Sequence, residues 1–115
     1  MASLGLSDAE RESIERFEAE VINPSMTALV VLDFWADWCA PGKQFAPVLE
    51  KVAGDYAAKG VRLAKIDVDH DKLIAEQFRI KSIPTVYAIF QGQPVADLTN
   101  YRTEGQLKSA LDQLL

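Results

Sequence analysis

The chain has 115 residues, of which 49% are hydrophobic and 25% are charged, and it contains one cysteine. One domain of this size can bury a hydrophobic core, while a single cysteine excludes an internal disulfide and any intramolecular dithiol chemistry. The net charge of −5 disfavours nucleic acid as a partner, because nucleic-acid binding depends on basic side chains.

The N-terminal segment, residues 1–10, lacks the basic start and long apolar stretch of a secretory signal peptide. The longest uninterrupted apolar run, Ala28 to Leu32, is far shorter than a membrane span. We therefore expect a cytoplasmic protein with no membrane partner. The near-absence of cysteine fits that compartment.

The first predicted element is a helix over residues 8–21. Ser7 and Glu10 have the spacing of a capping box, and apolar residues then recur at helical spacing as far as Val21. The Asn-Pro-Ser sequence at residues 23–25 is expected to end this helix.

A strand and a helix are predicted next. Residues 28–36 are apolar on both faces and rich in β-branched side chains, which is typical of a strand covered on both sides in the middle of an α/β sheet. A helical pattern extends over residues 41–58. Pro41 suits its first turn, whereas Pro47 lies inside it and is expected to kink it.

The second half of the chain predicts three strands and two helices. The strands cover residues 61–68, 85–90 and 95–98, and the helices cover residues 71–78 and the segment from Thr103 onward. A strand–helix–strand unit implies parallel pairing, and a tight turn at residues 91–93 makes the last two strands an antiparallel hairpin. The sequence thus predicts an α/β fold, with a mixed central sheet that ends in an antiparallel hairpin and is flanked by four helices.

Cys39 is the residue best placed for chemistry. It lies where the first core strand gives way to a helix, and the backbone N–H groups and dipole at a helix start stabilise an anion. We therefore expect a lowered pKa for this thiol and more of the thiolate, the form that attacks disulfides. A buried structural cysteine is commoner in proteins, but polar and turn-forming residues follow Cys39 closely.

These segments resemble the thioredoxin family. Residues 33–43 resemble its active-site strand and helix, Ile83-Pro84-Thr85 its cis-proline loop, and Gln91-Gly92 its last hairpin. The motif residues are Trp38, Cys39, Ala40, Pro41 and Gly42. The resemblance runs from the region of residue 7 to the end, and it implies a single domain with the thioredoxin fold over residues 1–115.

The motif departs from the family at Gly42. Thioredoxins have Trp-Cys-x-Pro-Cys, and Gly42 occupies the position of the second cysteine. In a dithiol protein the first thiolate attacks a disulfide, and the second resolves the resulting mixed disulfide. Here only the attacking cysteine is present, so we expect weak or no dithiol–disulfide reductase activity. A mixed disulfide at Cys39 would then persist until an external thiol such as glutathione releases it.

The resemblance also implies roles for other residues. Asp33 corresponds to the buried acid that moves the second cysteine's proton, and Lys65 corresponds to the lysine near it. Because Gly42 has no proton to move, Asp33 and Lys65 could instead remain as a structural pair. Asn100 replaces a glycine in the loop that lines the substrate groove; asparagine tolerates positive φ, but it would narrow the groove.

Substrate binding is assigned by the same resemblance to Trp38, Ile83, Pro84 and Asn100. A cis bond before Pro84 would leave the Ile83 backbone free to pair with an extended client peptide. His70 is interpreted as a solvated turn residue, and one histidine with one cysteine does not make a zinc site. We expect no metal and no cofactor.

Two functions are consistent with the sequence. The first is a redox protein of cell redox homeostasis, which forms mixed disulfides with client cysteines or glutathione through Cys39. The second is a non-catalytic co-chaperone domain, because residues 21–26 and 86–95 resemble the thioredoxin domain of chaperedoxins. Those proteins join a thioredoxin domain to tetratricopeptide repeats and hold unfolded segments, so chaperones would be further partners.

The second hypothesis would make this chain either the N-terminal domain of a longer protein or a free-standing relative. A third interpretation is that Gly42 is an introduced substitution that traps complexes. It is disfavoured because such substitutions usually install serine or alanine.

Overall fold

The computed structural model describes residues 5–115. Residues 1–4, on which part of the signal-peptide prediction depends, lie outside the described residues. The helices are α1 (Asp8–Phe17), α2 (Asn23–Ser25), α3 (Ala40–Asp55), α4 (Lys72–Gln77) and α5 (Glu104–Leu114). The strands are β1 (Leu29–Trp35), β2 (Val61–Asp67), β3 (Thr85–Phe90) and β4 (Gln93–Asp97). A π-helical turn, Glu18–Ile22, joins α1 to α2, and a 3₁₀ turn, Ala57–Lys59, follows α3.

The sheet has four strands in the order β2-β1-β3-β4. β1 pairs in parallel with β2, which follows the α3 crossover, and antiparallel with β3. β3 and β4 form the terminal antiparallel hairpin. Every residue of β1 except Trp35 is buried, as predicted for a central strand covered on both faces. The predicted mixed sheet flanked by four helices (α1, α3, α4 and α5) is confirmed.

The core consists of two clusters on opposite faces of the sheet. Successive strand residues point to opposite faces, and in β1 the side chains of Leu29 and Val31 pack toward α3 and α5, while those of Val30 and Phe34 pack toward α1 and α4. Asp33 shares the face of Leu29 and Val31. Its carboxylate is therefore directed into the layer beneath α3.

The predicted capping box is present, and a second one begins the last helix. Ser7 caps α1 with Glu10, and Thr103 caps α5 with Gln106. Each box satisfies backbone N–H groups that would otherwise lack partners at a helix start. Pro47 lies inside α3. In the range 5–115, no helix has both the length and the apolarity needed to cross a membrane.

Three predicted boundaries were wrong by two or more residues, and one of them is the end of the second helix, which lies at Asp55 and not at residue 58. Helical backbone continues through residues 23–25, which form α2 with Pro24 in its first turn, where the missing N–H of proline costs little. The last strand begins at Gln93, because the hairpin turn consists of Gln91 and Gly92 alone. Both have positive φ, 51° and 75°, as a two-residue hairpin turn of type I′ requires.

Candidate functional site

Cys39 lies at the junction of β1 and α3, directly before the first residue of α3. Its N–H donates to the Ala36 carbonyl at 3.1 Å, and its own carbonyl accepts from the Lys43 N–H at 3.1 Å. The residue is 5% exposed, and Sγ lies 3.4 Å from the carbonyl oxygen of Ile83. The sulfur is thus fixed between the start of α3 and the loop before β3.

The loop that faces the sulfur contains the cis peptide bond Ile83–Pro84, as the resemblance implied. Pro84 is buried and leads directly into β3. Within residues 5–115, no hydrogen bond joins the Ile83 N–H to another residue. The backbone at Ile83 can therefore pair with an added extended strand, in the manner by which peptides augment sheets.

Gly42 sits against Cys39 and Pro84. A Cβ atom built on Gly42 would lie 3.4 Å from Cys39 Sγ, 3.7 Å from Pro84 Cβ and 3.8 Å from Cys39 Cβ. The Cβ–Cβ distance in disulfides averages about 3.8 Å, so position 42 has the spacing of a disulfide partner. Gly42 is not among the glycines with positive φ. The backbone conformation therefore does not require glycine at position 42. The consequence of Gly42 is chemical, because the residue at disulfide distance from Cys39 carries no thiol.

Trp38 flanks the site on its exposed side. The residue is 69% exposed, and its Nε1–H donates to Asp69 Oδ2 at 2.8 Å, which holds the indole in place beside Cys39. Pro41 lies in the first turn of α3, as predicted, although the helix begins one residue earlier, at Ala40. Both residues are exposed. Together these residues give the site an apolar rim.

Asp33 is buried within the sheet, with 1% of the residue exposed. Among the residues that the structure describes, neither carboxylate oxygen has a hydrogen-bond partner. Burial raises the pKa of Asp33 to about 6; the positive charge of Lys65 lowers it in part, and the negative charge of Glu50 raises it further. An unpaired buried carboxylate is costly when ionised, so this residue weakens the fold at neutral pH.

The predicted structural pair of Asp33 with Lys65 does not form as an ion pair. The two residues are opposite each other in the register of β1 and β2, but Lys65 Nζ lies 3.1 Å from Glu50 Oε1. The lysine side chain is 35% exposed, and pairing with the exposed Glu50 keeps its ammonium in contact with water. Its charge acts on Asp33 only through space.

Asn100 lies in the loop between β4 and α5 and is exposed. The non-glycine residues with positive φ in the described range are Arg79 and Gln91. Asn100 is not one of them, so the tolerance of asparagine for that conformation is not used here. The loop is held by Thr99, whose hydroxyl accepts from the Val86 N–H at 3.0 Å.

Sequence reasoning missed a buried polar cluster around Asp71, which is 5% exposed. The Ser13 hydroxyl donates to Asp71 Oδ1 at 2.6 Å, and Arg16 forms an ion pair with the same carboxylate. His70 is exposed as predicted, but its Nδ1 lies 3.2 Å from Asp71 Oδ1. Burial raises the pKa of Asp71, but these partners outweigh it and the net shift is downward.

This cluster joins α1 to the loop before α4, and its role is structural. The spacing of Ser13 and Arg16, which places both on one face of α1, was the available signal in the sequence. Across residues 5–115, no group of three or more histidine, cysteine, aspartate or glutamate side chains could hold a metal ion.

Comparison with known proteins identifies the family to which this geometry corresponds. The thioredoxin family model matches residues 9–113. The chain is 38% identical over 99 residues to thioredoxin 2 of Chlorobaculum tepidum, which covers 86% of this chain and 88% of that protein. It is 41% identical over 85 residues to thioredoxin of Staphylococcus haemolyticus, which covers 74% and 81%. It is 39% identical over 97 residues to thioredoxin of Haemophilus influenzae, which covers 84% and 88%.

Proposed function

The chain belongs to the thioredoxin family, and from this we propose that it acts in cell redox homeostasis through one nucleophilic cysteine. Cys39 forms mixed disulfides with client proteins or with glutathione. The observation that supports this most directly is the pair Cys39 and Gly42: the attacking sulfur is fixed at the start of α3, while the position at disulfide distance from it has no side chain.

The first step is thiol–disulfide exchange. The Cys39 thiolate attacks one sulfur of a client disulfide, a new S–S bond forms, and the client S–S bond breaks. The second client sulfur leaves as a thiolate and takes a proton from water, so no external oxidant or reductant is needed. The client segment adds along Ile83 and Pro84, with Trp38 beside it.

Release of the client needs a second thiolate, which this chain does not supply. An external thiolate such as that of glutathione attacks the client sulfur of the mixed disulfide, and Cys39 leaves as a thiolate. Such thiols are kept reduced in the cytoplasm, where we place this chemistry. Cys39 thus binds a client thiol reversibly and shields it from further oxidation.

Ellman's reagent, an aromatic disulfide, tests this step. We expect the wild type to release one equivalent of thionitrobenzoate per chain, because it has one thiol, and to stay labelled without added thiol. Cys39→Ser should release none.

Insulin reduction by dithiothreitol measures catalytic turnover. The reduction rates with wild type and with Cys39→Ser should differ by less than about tenfold, since the resolving step is missing. Fast catalytic turnover by the wild type would contradict the proposal.

A second candidate function is client holding without redox chemistry, as in the thioredoxin domain of a chaperedoxin. It is favoured by the exposed indole of Trp38, which is fixed by Asp69, and by the Ile83 N–H, which has no hydrogen-bond partner within residues 5–115. In this case the chain is the N-terminal domain of a longer protein or a free-standing relative, and unfolded segments are its partners.

The holding function predicts that wild type and Cys39→Ser suppress aggregation of an unfolded client equally. Trp38→Ala should weaken suppression, because an exposed aromatic side chain contributes much of the apolar contact area. Light scattering of a heat-denatured client at several protein ratios measures this. Loss of suppression in Cys39→Ser would assign the effect to the thiol, and no suppression by the wild type would remove this candidate.

A further inference from the structure

Arg102 presents a fixed positive charge that has no acidic partner among the described residues. Its Nε–H donates to the Thr99 carbonyl at 2.8 Å, and its guanidinium carbon lies 5.4 Å from the centre of the Phe45 ring. These two contacts hold the plane of the guanidinium over the ring. In the part of the chain that the structure describes, Arg102 forms no ion pair.

The position of Arg102 connects it to the site of Cys39. Arg102 lines a cavity of about 210 Å³ together with Pro41, Gln44 and Phe45. Pro41 belongs to the motif that begins at Trp38 and lies in the first turn of α3. The cavity thus shares Pro41 with the motif that carries Cys39, two residues earlier in the chain.

The chemistry of the cavity favours a carboxylate. A guanidinium presents a planar fork that binds carboxylate oxygens through two parallel hydrogen bonds. The Thr99 contact uses only Nε, so the terminal nitrogen atoms keep their donors. Because the side chain is already held by Thr99 and Phe45, little additional conformational freedom is lost on binding. A free arginine is also notable in a chain whose net charge is −5.

We propose that Arg102 determines specificity by binding an acidic side chain of the client near the cysteine that reacts with Cys39. Side chains two residues apart on an extended segment share one face and lie about 7 Å apart, so aspartate or glutamate two residues before or after the client cysteine is the recognised pattern. This inference rests on the proposed function, because it concerns clients that form a mixed disulfide with Cys39.

Four peptides test it: Glu-Ala-Cys, Cys-Ala-Glu and their glutamine counterparts, each blocked at both ends and carried as a disulfide with thionitrobenzoate. The Cys39 thiolate attacks the peptide sulfur, the S–S bond to the peptide forms, and thionitrobenzoate leaves as a coloured thiolate. We expect one glutamate peptide to react about three- to tenfold faster than its glutamine counterpart, the range for a partly exposed charged hydrogen bond.

The preference should disappear in Arg102→Gln, be partly kept in Arg102→Lys, and fall toward unity in about 1 M salt, where the Debye length is about 3 Å. Arg62→Gln is the matched control. Arg62 is exposed on β2 opposite Val30, near the end of the β1–β2 pair that lies away from Cys39. That variant should keep the wild-type preference.

The experiment distinguishes a failure of the proposed role of Arg102 from a failure of the proposed function. Equal rates for glutamate and glutamine peptides, or a preference unchanged in Arg102→Gln, would overturn the role of Arg102 and leave the chemistry of Cys39 intact. A loss of preference in Arg62→Gln as well would assign the effect to overall charge and also overturn it. Absence of any thionitrobenzoate release would overturn both this inference and the proposed function.

Discussion

Gly42→Cys is expected to restore an internal dithiol and to make the chain an efficient disulfide reductase. A Cβ at position 42 lies 3.8 Å from Cys39 Cβ, which matches the average of about 3.8 Å in disulfides. The backbone therefore needs little movement to form the bond. An attack from within the same chain replaces attack by an external thiol, so we expect release of the client to accelerate by at least about 100-fold.

Insulin reduction and a thiol count after mild oxidation measure this effect. The oxidised Gly42→Cys variant should have no free thiol and should run as a monomer. Gly42→Ala is the matched control, because it fills the same space beside Cys39 and Pro84 without adding a thiol. Reductase activity of Gly42→Cys no higher than that of Gly42→Ala would show that geometry other than the missing cysteine limits the wild type.

Asp33→Asn is expected to change how stability depends on pH. The pKa of Asp33 is raised from 3.8 to about 6 in the fold, so the folded state binds the proton more tightly than the unfolded state. Below pH 3.8 the carboxyl group is protonated in both states and costs nothing. As the pH rises from 3.8 to about 6 the wild type loses stability, and above that pH the loss amounts to about 3 kcal/mol in total.

The asparagine variant lacks this titration, although its amide has no more partners than the carboxylate. The free energy of unfolding of the variant minus that of the wild type should therefore rise by about 2.4 kcal/mol between about pH 4 and pH 8. Urea unfolding across that range measures it. Asp37→Asn, at an exposed position after β1, is the control and should show no such rise. A difference that does not vary with pH would contradict the buried, unpaired state of Asp33.

The fold could be predicted largely because its signals are local. Continuous apolar residues indicate β1, the capping box of Ser7 and Glu10 indicates the start of α1, and the turn that begins at Gln91 indicates the hairpin. The misplaced end of the first helix shows the limit of such signals. Pro24 was interpreted as a breaker, but at the first turn of α2 proline is compatible with helix.

The candidate site was predictable in part for the same reason. Cys39 and Gly42 follow a continuous apolar strand, so their position at the junction of that strand and the next helix could be predicted. The partner of Lys65 could not, since the choice between Asp33 and Glu50 depends on how far a flexible side chain reaches toward water. The contact of Arg102 with Phe45 depends on loop geometry that no short-range pattern encodes.

The central proposal is that this thioredoxin fold carries out only the attacking step of disulfide exchange. The lifetime of the mixed disulfide at Cys39 tests this most directly. A client peptide can be joined to Cys39 through exchange and followed by intact-protein mass spectrometry without added thiol. We expect the wild-type adduct to persist and glutathione to release it, whereas the same adduct on Gly42→Cys should decay by itself to free peptide and an internal disulfide. Decay of the wild-type adduct without external thiol at the rate of Gly42→Cys would show that release of the client does not depend on a second cysteine.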